Sequence, residues 1–155
     1  MRSLGRIERM IAGAVGEPGR RTFYLELLGD AGPESFLLEK QQVAALAERA
    51  VELVEDLGTP PQEPGPELAE VGEPTFRVGQ IALGRDAGDV VVVLSPVEGE
   101  GEPVAATLVP EALDAMARRA LLVVAAGRPD CQFCGNPRDP AGHTCPASNG
   151  DLRHS

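Results

Sequence analysis

The sequence predicts an α+β protein: two β-β-β-α repeats forming a mainly antiparallel six-stranded sheet with two helices on one face, followed by a zinc-knuckle-like tail. Three observations carry that reading. Apolar residues recur at helical spacing in two stretches, each preceded by short apolar segments bounded by Gly and Pro. The two patterns superimpose at a single ungapped offset of 70 residues. All three cysteines and one of the two histidines fall within the fifteen residues from Cys131 to Cys145.

In chain order, Arg6–Val15 reads as the first strand, and Gly16-Glu17-Pro18-Gly19 as a turn. Strand Arg21–Leu28, turn Asp30–Pro33 and strand Ser35–Glu39 follow. A helix is predicted over Lys40–Leu57, because Val43, Leu46, Ala47, Ala50 and Val54 share one face at a 3.6-residue period. The second copy reads as strand Thr75–Leu83, turn Gly84–Gly88, strand Asp89–Val97, turn Glu98–Pro103 and strand Val104–Leu108. Its helix runs over Pro110–Ala126, with Pro110 in the first turn, where a missing N–H is tolerated. The apolar run Val90–Leu94 suggests a central strand buried on both faces. Neither copy can bury its sheet face alone, so a pseudo-two-fold pairing is expected.

Residues 1–126 form the expected body, with repeats at about 4–57 and 74–126 and a linker at 58–73. Gly58–Pro74 holds five prolines and four glutamates without apolar periodicity, which predicts a flexible, solvated linker. A partner-binding motif is the alternative for such a composition. Residues 127–155 form the tail.

At 155 residues the chain has room for one core, built mainly from Ala, Val, Leu and Ile because it contains no Trp. Its net charge of −10 repels phosphate backbones and argues against nucleic-acid binding. Arg20 and Arg21, beside a Gly-Pro turn, are a candidate anion site or simply a solvated hairpin end. The N-terminus lacks the apolar segment of a signal peptide, and the apolar runs are too short to span a bilayer. Three cysteines without an export signal point to reduced thiols in the cytoplasm.

The tail carries the candidate chemistry. Cys131-x-x-Cys134 lets two thiolates hold one ion from a tight turn, and His143-x-Cys145 places two further donors on one side of an extended segment. Cys131, Cys134, His143 and Cys145 match a closed Cys3His structural zinc site, with iron as a second possible metal. His154 is an alternative fourth ligand. A redox pair of Cys131 and Cys134 competes with this reading, but Gly135 and Pro137 follow rather than a helix that would lower the thiol pKa. A catalytic metal needs an open position, which four ligands would close. The tail has little apolar surface beyond Phe133 and Leu152, so its ordering is expected to depend on the metal.

No phosphate-binding loop, dinucleotide fingerprint, nucleophile elbow or His-Glu-x-x-His motif occurs in the sequence. Glu39, Glu48 and Glu111 are carboxylates that nothing in the sequence pairs as acid and base, and Glu39 and Glu48 read as solvated or helix-terminal charges. The leading expectation is therefore a non-catalytic zinc-binding adaptor with a protein partner. An enzyme with a ligand cleft between the two repeats is the alternative, and a thiol-redox sensor is a third.

Gly16–Phe23, Leu38–Arg49 and the tail from Cys131 to Gly150 also resemble an actinobacterial family of conserved hypothetical proteins, a domain of unknown function with an internal repeat. The resemblance implies an actinobacterial, cytoplasmic origin and supplies no activity. That family's tail commonly reads Cys-Pro-Arg-x-Asn-Gly. Here Ala147 stands in the Arg position, while the candidate ligands are intact.

Overall fold

In a computed structural model, which describes residues 1–17, 19–68 and 71–126 and the backbone of two short C-terminal strands, two element runs of the type β-β-β-α follow an initial strand. The elements are β1 (Arg2–Arg6), β2 (Arg9–Val15), β3 (Thr22–Gly29), β4 (Gly32–Leu38) and α1 (Lys40–Asp56). Then come β5 (Val78–Asp86), β6 (Asp89–Pro96), β7 (Val104–Leu108) and α2 (Pro110–Ala126). The short strands are β8 (His143–Thr144) and β9 (Arg153–His154).

The expected single six-stranded sheet is replaced by two sheets in the body. One has the order β1-β7-β6-β5 and the other β2-β3-β4. The expected strand Arg6–Val15 is broken at Ile7–Glu8. Ile7 N–H donates to Thr107 O and Glu8 N–H to Leu28 O, both at 2.8 Å, so neighbouring residues bond to different sheets. β1 consequently lies parallel to β7, whereas the other body pairs are antiparallel. Between β4 and β5 the sheets touch only through a short seam. Leu37 bridges Arg77, Thr75 N–H donates to Ser35 O, and Leu37 N–H donates to Phe76 O. The chain uses this segment to cross over, which leaves too few residues for a continuous ladder.

The helices pack on each other and bridge the sheets: α2 runs along β2 and reaches β6, while α1 meets β5. Val43, Leu46, Ala47 and Ala50 of α1 are buried, as are Leu113, Met116, Ala117 and Ala120 of α2. β6 is central, with Val90, Val92 and Leu94 fully buried, each contributing roughly 1.5–3 kcal/mol. Val91 and Val93 are only half-buried, so the second face of this strand is not the closed one expected from its apolar run. An antiparallel sheet can leave one face toward water.

An ion pair staples the sheets near the seam. The Arg2 guanidinium of β1 hydrogen-bonds both carboxylate oxygens of Glu34 on β4, and Thr75 Oγ1 donates to Glu34 Oε2 at 3.0 Å. The Arg2 hydrogen bond holds the Glu34 carboxyl below the usual glutamate range, against the opposing effect of burial and with help from Thr75. A depressed folded-state pKa stabilises the fold above the unfolded pKa of about 4.3 and loses that contribution as pH falls through the folded value. Urea denaturation from neutral pH down to about pH 3 is expected to show declining stability, with a smaller decline in Arg2→Ala.

The β5–β6 hairpin turns through Ala87 and Gly88, at φ 51° and 92°, between the paired residues Asp86 and Asp89. Two central residues with positive φ define the turn that suits a twisted hairpin, and its preferred first residue is Asn. Ala87 holds that conformation at a cost of about 1 kcal/mol. Ala87→Asn is expected to stabilise the protein by about 0.5–1 kcal/mol in chemical denaturation.

Candidate binding groove

Helix α1 is set by its ends. Glu39 stands at the N-cap, where its N–H donates to Gln42 Oε1 at 2.7 Å. At the other end Gly58, at φ 72°, closes a Schellman motif in which Gly58 N–H donates to Glu55 O and Thr59 N–H to Val54 O. Gln42 also donates through Nε2 to Val78 O at 2.9 Å, pinning the start of α1 to the start of β5. At Gly79 a Cβ would lie 3.1 Å from Pro96 O, so glycine lets β6 approach there.

Beyond that pin, α1 and β5 diverge into a groove of about 270 Å³. Gln42, Ala45, Leu46 and Arg49 form its helical wall, at the i, i+3, i+4 and i+7 spacing of one face. Ile81 and Leu83, both half-buried, form its strand wall. The exposed Arg49 guanidinium has no ion-pair or hydrogen-bond partner among the described residues. The lining offers one cation, amides and aliphatic surface, which is binding rather than acid–base chemistry.

The space between α2 and β2 is partly filled by the chain itself. Pro60–Leu68, expected to be a solvated linker, lies across α2 as a strap. Gln62 N–H donates to Asp114 Oδ2 at 2.8 Å, Gly65 N–H to Ala115 O at 2.9 Å, and Arg119 Nε to Gly65 O at 2.7 Å. Arg119 also pairs with Glu67 at 3.5 Å. Leu68 packs over Gly13, where a Cβ would be only 2.5 Å from the leucine Cβ. Asp114, 1% exposed, also accepts from Arg118 Nε at 2.8 Å. The strap escapes sequence reading because two of its anchors are backbone N–H groups. Asp114, one residue after a core leucine in an otherwise apolar face, was the available signal.

The other candidate residues are dispersed. Arg21 donates to Val123 O at 2.9 Å near the end of α2 and lies 5.3 Å from the Phe23 ring centre, so it ties β3 to α2. Arg20 is exposed. Glu48 is an exposed residue of α1, and Glu111 lies in the first turn of α2, favourably placed at the positive end of the helix dipole. Cys131, Cys134 and Cys145 lie outside the described residues. His143 is described only by its backbone, opposite His154 in the β8–β9 pairing. Among the described residues, no group of three or more His, Cys, Asp or Glu is arranged to hold a metal, and no helix is long and apolar enough to cross a membrane.

Fold and groove together define a two-sheet α+β protein whose candidate site lies between a helix and an edge strand. The family described as Protein of unknown function (DUF3090) matches residues 3–145, and the chain belongs to that family. No curated protein and no solved structure matches it.

Proposed function

We propose that this chain is a non-catalytic, cytoplasmic protein-interaction module built from a duplicated β-β-β-α unit and a zinc-held tail. In this reading Cys131, Cys134, His143 and Cys145 hold one structural ion, zinc in preference to iron. The body presents the partner-binding surface. The observation that carries the metal is the sequence clustering of all three thiols and one imidazole within fifteen residues. Three thiolates and a neutral imidazole suit a closed tetrahedral zinc site, and such a site orders a segment with little apolar surface of its own. The aliphatic groove with one available guanidinium supports a binding role for the body.

Metal analysis of the purified full chain is expected to find one zinc per chain. Cys131→Ser combined with Cys134→Ser should abolish that zinc and expose the tail to protease, while the circular dichroism of the body is retained. Thiol titration discriminates the redox alternative. Zinc-bound thiolates should react only after chelation, whereas metal-free protein with freely reactive thiols would overturn the zinc assignment.

A further inference from the structure

We infer that the open groove between α1 and β5 receives an extended, acidic, proline-containing peptide of a partner protein, laid along Ala45 and Arg49 as the chain's own Gly65–Leu68 lies along Ala115 and Arg119. This gives the partner-binding half of the proposed function its chemistry and is independent of the metal half. The argument starts from correspondence. α1 and α2 are both 17 residues long and begin 70 residues apart; α2 packs along β2, whereas α1 meets β5 only at its start and then diverges from it. At that offset Ala45 corresponds to Ala115, Arg49 to Arg119 and Leu83 to Gly13.

In the partly filled groove the recognition elements are a backbone N–H donated to a helix carbonyl, an arginine shared between a strap carbonyl and a glutamate, and a glycine passing close over alanine. A Cβ at Gly65 would lie 3.3 Å from Ala115 O, so the close pass favours glycine. In the open groove an alanine and an arginine at the matching helical positions, Ala45 and Arg49, line the wall, and Arg49 has no ion-pair partner among the described residues. Proline restricts the free peptide to extended conformations, which lowers the ordering cost of binding. The net charge of −10 opposes an acidic ligand only at long range, and this effect is screened beyond about 8 Å at physiological salt.

Two differences set specificity. Ala44 stands where Asp114 anchors the strap, so the open groove lacks that extra acceptor and binding there is reversible. Leu83 stands where Gly13 admits Leu68, so the matching peptide position takes a small residue.

The test uses the metal-loaded full chain and two fluorescent synthetic peptides, Pro-Gln-Glu-Pro-Gly-Pro-Glu-Leu and the same sequence ending in Ala, followed by anisotropy. The Ala-ended peptide is expected to bind saturably at sub-millimolar concentration and more tightly than the Leu-ended one. Arg49→Glu, an exposed substitution, should weaken it at least tenfold, and Leu83→Gly should reverse the preference. Chelation should leave binding unchanged, which separates failure of this inference from failure of the zinc reading. No saturable binding of either peptide, or binding indifferent to Arg49→Glu, would overturn the inference. A concentration-dependent dimer dissociated by the peptide would make a second copy's strap the occupant and would overturn the partner-protein assignment.

Discussion

Phe36→Ala is expected to cost about 3–5 kcal/mol of folding stability, the largest single effect anticipated for this protein. Phe36 is fully buried on β4, and its ring meets Phe76 edge-on, with centroids 5.0 Å apart and planes at 61°. Such a pair adds about 0.5–1.5 kcal/mol beyond area burial. The location raises the effect further. Phe76 belongs to the crossing segment that meets β4 by only a few backbone bonds, so the aromatic pair holds the two sheets together where their ladders do not. Chemical denaturation followed by circular dichroism measures the loss. Thermal melting should fall by about 6–20 °C for a chain of this size. A double-mutant cycle with Phe76→Ala should return a coupling energy; strictly additive losses would show that the seam does not depend on the pair.

Asp114→Ala should lower stability by about 2–3 kcal/mol, because a buried carboxylate that accepts two hydrogen bonds is lost and its donors are left to find water. Its partners explain what else changes. Gln62 N–H belongs to the strap and Arg118 to the same helix, so removal of the carboxylate frees the strap at its first anchor. Limited proteolysis should then cut within 58–68 faster than in the wild-type protein. Asp114→Asn keeps an acceptor oxygen and is expected to cost roughly half as much. If the alanine variant were as stable and as protected as wild type, the strap would be held by Arg119 and Gly65 alone.

Much of the local structure is legible in the sequence. Both helices lie where Val43, Leu46, Ala47 and Ala50, and later Leu113, Met116, Ala117 and Ala120, announce a buried face, and they agree with the expected bounds to within a residue. Most strands were legible from Gly- and Pro-bounded apolar segments, but β1 was not foreseen as separate from β2, and β5 runs over Val78–Asp86 rather than Thr75–Leu83, carrying Gly84 inside it. The candidate groove was not legible. Arg49 reads as an ordinary solvated residue on a helix. Only the tertiary structure places it opposite Ile81 and Leu83, across an open groove.

The amino-acid sequence by itself determined the two helices, the three strands between them and the clustering of three cysteines and a histidine in the tail, because periodicity and residue chemistry are local properties. The tertiary structure alone decided that β1 leaves β2 to pair with β7, that the strands divide into two sheets, and that Pro60–Leu68 lies across α2 as a strap. Periodicity says which face of an element is buried but not against what. Ladder partners and strap anchors are made largely by backbone N–H and C=O groups, which nearly every residue carries and which therefore leave no mark in the sequence.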